Sequence, residues 1–223
     1  MENQNELNQE KNSVKPEKQE TWFDVIKFVV ILLAIIIPIR MFVIEPYMVR
    51  GDSMYPNFLN NDYLLTEKWS TWGEMNYDRG DIVIFKSPAS DGKTLIKRII
   101  GLPGETIKIE KGITFIAKNL DENGEPNYEK ITENFINQEE NNLTNIDQIR
   151  EYSLNFGPIT LESDEFFVMG DNRLASYDSR FWGPLPKENV IGRPILRIFH
   201  FNKIGFWPET FSNYKNLNDK QTE

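Results

Sequence analysis

The sequence predicts a mainly β protein: one antiparallel β-sheet domain behind a single N-terminal transmembrane helix. Three observations predict it. The chain has one long apolar run, residues 22–44. After it, apolar residues fall in short runs divided by glycine, proline, asparagine and aspartate, the punctuation of strands and turns. No long amphipathic helix pattern follows, although Glu129–Glu151 has room for a short one. At 223 residues, 39% hydrophobic and 26% charged, the chain suits one sizeable folded domain with appendages.

Residues 1–21 are polar and cannot bury a core, so they read as a disordered tail. The uncharged stretch Phe28–Ile39 is shorter than the roughly 20 residues a membrane crossing needs. Extended to Trp22–Val43, it is interrupted by Asp24, Lys27 and Arg40, all near its ends. The two basic side chains there can snorkel to the headgroups, and Trp22 and Tyr47 suit the two interfaces. A buried core helix and a cleaved signal peptide compete with an anchor. Against the first, Phe28–Ile37 offers no polar face; against the second, bulky MFVIEPYMV stands where a small-x-small cleavage site is needed. Residues 22–44 therefore read as an uncleaved anchor in the lipid bilayer. Lys11, Lys15, Lys18 and Lys27 precede its apolar core and only Arg40 and Arg50 follow it closely, which places the N-terminus in the cytoplasm and residues 45–211 outside. Strands are expected in YMV, DYLLTEK, DIVIFK, TLIKRII, ETIKIEKGITFI, DEFFVMG and PILRIFHF. Residues 119–155, acidic and rich in asparagine, read as an insertion or surface excursion, and 212–223 as a polar tail.

Composition also excludes function classes. A net charge of −9 argues against nucleic acid as a partner. With no cysteine, disulfides, thiolate metal sites and a cysteine nucleophile are ruled out. The one histidine, His200, lies in Phe199-His200-Phe201 and reads as packed, which disfavours a Ser-His-Asp triad and a histidine zinc site. No metal or cofactor is expected. Any chemistry falls to carboxylates, hydroxyls, lysines or arginines.

Three stretches hold candidates. In VRGDSMYPN, Ser53 follows Gly51 and precedes Pro56, residues that permit a tight path and fix its exit. A serine becomes a nucleophile only beside a base, and without histidine that base is a lysine whose pKa burial has lowered. Lys97 fits: on a strand it shares a face with Leu95 and Ile99, so its ammonium is poorly solvated, while Arg98 points the other way toward a structural contact. Lys86, at a strand end, is the second choice. Taken singly, Ser53 reads more readily as part of an ordinary Asp-Ser turn, and Lys97 equally as a snorkelling edge residue. The third stretch, GDNRLASYDSRFWG, crowds Ser176, Asp178 and Arg180 after an apolar strand. Asp178 and Arg180 suit a locking ion pair, and Ser176 offers a hydroxyl to an amine.

Taken together, the anchor, GDSMYP (51–56), RGDIVIFK (79–86), KRIIGLPGE (97–105) and GDNRLASYDSRFWG (170–183) resemble, in order and spacing, the bacterial type I signal peptidases. The resemblance implies the β fold shared with SOS repressors and a membrane-bound serine endopeptidase with a Ser/Lys dyad. It would cleave secretory preproteins after small-x-small motifs, with the secretion translocon as a further partner. By position, Ser53 is the nucleophile and Lys97 the general base. Ser176 would orient the lysine, Asp178 and Arg180 would support it, and the Ser53 backbone N–H would donate to the oxyanion. Tyr47, Val49, Met54, Leu95 and Ile96 match positions lining shallow pockets for small side chains. Gly51 departs from members that place a serine hydroxyl there as a second oxyanion donor. Leu174-Ala175 replaces a pair that is often polar. A self-cleaving SOS-type repressor and an adhesion module displaying Arg50-Gly51-Asp52 are the rival readings. The first lacks its DNA-binding element here, and the second is weakened by the repeated tripeptide Arg79-Gly80-Asp81.

Overall fold

A computed structural model describes residues 22–73, 76–90, 92–133, 135–136, 154–199 and 204–206. His200 and the tails at 1–21 and 212–223 lie outside them. The chain divides into two units, residues 1–40 and 41–223. The helix α1 (Trp22–Pro38) is apolar but for Asp24 and Lys27 near its start, and a π-type segment, Ile39–Val43, follows it. Pro38 removes a backbone donor where the regular helix stops. Trp22–Val43 spans 22 residues, about 33 Å of helix against about 30 Å of hydrocarbon, long and apolar enough to cross a membrane.

The second unit is built from antiparallel strands. The elements are β1 (Ile44–Met48), β2 (Tyr63–Glu67), β3 (Ile82–Lys86), β4 (Thr94–Gly101), β5 (Thr106–Glu110) and β6 (Ile113–Ala117). They continue with β7 (Glu129–Lys130), β8 (Phe156–Thr160), β9 (Glu165–Met169), a one-turn helix α2 (Ser179–Trp182), β10 (Leu185–Pro186), β11 (Val190–Phe199) and β12 (Gly205–Phe206). One sheet runs β1-β2-β11-β3-β4-β9-β10, with β12 on β11; a second runs β7-β6-β5-β8. Every pairing among these strands is antiparallel.

Each expected strand is present. The sequence reading missed the short strands β7, β10 and β12, and also β8, whose FGPIT carries a glycine and a proline and breaks the alternation that marks a strand. The short helix allowed for at 129–151 is corrected at its start: Glu129 and Lys130 pair with β6 as β7. Residues 134 and 137–153 lie outside the described set. The insertion is more than a surface excursion, because Ile131 and Phe135 pack on a core cluster formed by Ile100, Ile107, Ile109, Ile116, Leu161, Phe167 and Met169.

Two other clusters position the site. Val83, Phe85, Ile99, Phe166 and Val168 form one, with Leu95 packed against it. Val49, Met54, Phe58, Leu64 and Ile82 form the other, with Ile96 against it. Alternation along β4 sends Leu95 and Ile99 to the first cluster and Ile96 to the other. Lys97 lies opposite Val83 in the β3–β4 register, the parity the sequence predicts.

Candidate active site

Ser53 sits in a turn held at both ends. Val49 N donates to Asp62 O and Asn61 N to Val49 O, each at 2.9 Å, closing the excursion between β1 and β2. Within it, Tyr55 N donates to Asp52 O at 3.1 Å and Phe58 N to Met54 O at 2.9 Å. Val49, Met54 and Phe58 are buried beneath, so apolar packing fixes the backbone on either side of the serine. Gly51 adopts φ +87, the left-handed region that a side chain disfavours, and its N–H donates to Asn60 Oδ1 at 3.0 Å.

Lys97 is four strands away in sheet order. At about 4.8 Å per strand, a flat sheet would leave β1 and β4 about 19 Å apart. Yet Lys97 Nζ donates to Ser53 Oγ at 2.7 Å, so the sheet curls and the Ser53 turn reaches over it. A second donation from Nζ, to Ile96 O at 3.0 Å, fixes the end of the side chain. Lys97 is 3% exposed.

The segment after β9 closes over the pair. Asn172 N donates to Ser53 O at 3.0 Å. Asp178 caps α2 by accepting from Arg180 N, and its Oδ2 accepts from Gly170 N at 3.0 Å. Arg180 grips the same carboxylate through Nε at 2.8 Å and Nη2 at 2.9 Å, and donates to Arg173 O at 2.8 Å. This is the expected Asp178–Arg180 lock, with both side chains buried. Arg98, on the other face of β4, grips Asp171 through Nε at 2.8 Å and Nη2 at 2.7 Å, and donates to Gly80 O at 2.8 Å. Asn57 Nδ2 donates to Asp171 Oδ2 at 2.8 Å, tying the Ser53 turn to the same carboxylate. Among the described residues no group of three or more metal-ligating side chains converges.

Comparison with known proteins shows the family. The model of the family described as signal peptidase, peptidase S26, matches residues 22–199. This chain belongs to the signal peptidase family. It is therefore a serine peptidase. The signal peptidase I of Leptolyngbya laminosa is 33% identical over 198 residues, covering 86% of either chain. The signal peptidase I P of Bacillus subtilis subsp. natto is 33% identical over 189 residues, covering 84% of this chain and 94% of that one. A crystal structure of a signal peptidase I from Enterococcus faecalis V583, at 28% identity, aligns with 53% of this chain and 96% of that one, with a TM-score of 0.41.

The electrostatics of this peptidase centre on Lys97. Burial pushes its amine down from 10.5 to about 8, opposed by the negative charges of Asp178 and Asp171 and assisted by Arg180. Burial alone would raise the Asp178 carboxyl, but its bonds and attraction to Arg180 outweigh that and hold it below the usual carboxylate range. Ser176 is buried beside Asp178, near enough to help lower that carboxyl, although its hydroxyl makes no well-formed hydrogen bond among the described residues. The structure thus brings Ser53 and Lys97 together but does not join Ser176 to Lys97. Of the expected groove residues, Tyr47, Leu95 and Ile96 are part-exposed, whereas Val49 at 4% and Met54 at 1% are core residues, in the cluster against which Ile96 packs. Burial raises the Tyr47 phenol, reinforced by Glu45. Lys86, the second-choice lysine, is exposed. Asn57, Gly170 and Asp171 escaped the sequence reading as site residues, because nothing local marks an asparagine or glycine for a contact more than a hundred residues away.

Proposed function

We propose that this peptidase removes signal peptides from secretory preproteins with a Ser53/Lys97 dyad. The 2.7 Å contact between Ser53 Oγ and a lysine that is 3% exposed is the observation that carries the proposal. A neutral amine has one lone pair. With Nζ donating to Ile96 O, that lone pair is free to take the Ser53 hydroxyl proton. Ser53 Oγ then attacks the scissile carbonyl, and the Ser53 backbone N–H donates to the developing oxyanion. The resulting ammonium protonates the leaving amine. Neutral again, Lys97 activates the water that hydrolyses the acyl-enzyme. While charged, Lys97 has a third donor, and the role proposed for the Ser176 hydroxyl is to accept it during the reaction. Asp178 and Arg180 hold the backbone on which Ser176 rides.

The substrate is an extended chain added beside β1 and β4, with small residues near Tyr47, Leu95 and Ile96, of which Ile96 is backed by Val49 and Met54. Pockets with such bulky walls exclude large side chains, which suits a small-x-small motif. The Trp22–Val43 helix anchors the enzyme in the bilayer with the N-terminus in the cytoplasm and the site outside, where preproteins leave a translocon. The exposed Arg50-Gly51-Asp52 needs no receptor, since it shapes the approach to Ser53.

The test uses the full chain in detergent with a preprotein bearing A-x-A. The parent cleaves after the motif, and Ser53→Ala and Lys97→Ala each lose at least about 10³-fold in rate. Parent-like cleavage by both variants would sink the dyad.

A further inference from the structure

The described part of the insertion reaches the back of the site. Ile131 N donates to Thr114 O at 3.1 Å, which carries the chain off the second sheet. Glu133 then meets Arg173: Nη1 donates to one carboxylate oxygen at 2.9 Å and Nη2 to the other, a two-pronged pair in which both side chains are at most 10% exposed. Thr114 Oγ1 holds the Glu133 carboxylate from the far side at 3.2 Å. Two residues on, the Phe135 ring lies 4.1 Å beneath the Arg98 guanidinium, and its carbonyl accepts from Asn57 Nδ2 at 2.9 Å.

Arg173 is more than a surface partner. Its Nε donates to Gly170 O at 3.1 Å, and its own carbonyl accepts from Arg180. Gly170 is where Ser53 and Ser176 come together: a Cβ there would stand 2.4 Å from Ser53 O and 2.3 Å from Ser176 Oγ. A path of direct contacts therefore runs from Glu133 through Arg173 and Gly170 to the nucleophile. A second path runs from Phe135 through Asn57 to the nucleophile turn.

We propose that Glu133 is a positioning residue for the peptidase reaction, clamping Arg173 so that the Gly170 backbone holds Ser53 against Lys97. The inference rests on the dyad reading above. The groove walls Tyr47, Leu95 and Ile96 stand on β1 and β4 and take no hydrogen bond from this clamp. Loss of the clamp consequently acts on kcat and leaves KM nearly unchanged.

The experiment compares the full-length parent with Glu133→Gln, Glu133→Asp and Ser53→Ala. The substrate is a peptide carrying A-x-A, and each protein is assayed about 15 °C below its own melting midpoint. Glu133→Gln is expected to lower kcat about tenfold with KM within twofold. Glu133→Asp, which keeps the charge that pairs with Arg173, is expected to recover about half of the loss on a logarithmic scale. If Glu133→Gln keeps parental kcat while melting earlier, the clamp is structural only and the proposal is overturned. An equal loss of kcat in both variants would overturn it as well. Parental activity in Ser53→Ala would instead strike the dyad reading itself.

Discussion

Replacing Gly170 with alanine adds one methyl group at the point where the two serines converge. The new Cβ would lie 2.3 Å from Ser176 Oγ, 2.6 Å from Ser176 Cβ and 2.4 Å from the Ser53 carbonyl oxygen, where ordinary contact begins at 3.4 Å. The Ser176 side chain can rotate away. The Ser53 carbonyl cannot, because it is backbone and is held by Asn172 N at 3.0 Å. Relief requires the Ser53 backbone to retreat by about 1 Å, and a misplacement of that size costs about 10²-fold in rate, or about 2.7 kcal/mol of transition-state stabilisation. Overpacking also destabilises by about 1–3 kcal/mol, which lowers the melting midpoint by several degrees without unfolding the chain at room temperature. The assay is kcat on an A-x-A preprotein in detergent, at a temperature where circular dichroism shows parent and variant equally folded. A folded Gly170→Ala protein with kcat within threefold of the parent would refute this account of how the nucleophile is placed.

Two further outcomes are expected. The proposed dyad needs Lys97 neutral, so activity is expected to rise with pH along a single limb centred near 8; at pH 7 a lysine with that value is neutral about 300 times more often than one at 10.5. A limb near 10.5 in the pH dependence of kcat/KM would mean that Lys97 is solvated or is not the base. Asp171→Ala leaves the Arg98 guanidinium buried without its counter-charge, since the two side chains are 0% and 1% exposed. Breaking such a pair costs about 3–5 kcal/mol, a drop of about 10 °C or more in melting midpoint for a domain this size. A drop below about 2 °C by calorimetry would show the pair to be dispensable.

Much of the catalytic domain was legible because its signals are local. Apolar runs punctuated by glycine and proline announce strands wherever the pattern repeats, and Lys97 between Leu95 and Ile99 announces a poorly solvated amine from three residues of alternation. The absence of cysteine and the isolation of His200 narrowed the chemistry before any geometry was known. What stayed hidden depends on distance along the chain. Asn57 meets Asp171 and Phe135, Gly170 receives Ser53, and Glu133 grips Arg173, each across a separation that carries no periodic pattern. An acidic side chain in an asparagine-rich insertion looks the same whether it faces water or a buried guanidinium.

By itself the sequence determined the anchor-like helix, the antiparallel class, and a short list of candidate side chains that includes Ser53 and Lys97, since composition and alternation act on neighbours. Only the tertiary structure decided that the two meet. Ser53 and Lys97 belong to opposite sides of a five-strand span, and it is the curl of that sheet, set by twist and by the packing of its clusters, that turns about 19 Å of lateral separation into a 2.7 Å hydrogen bond.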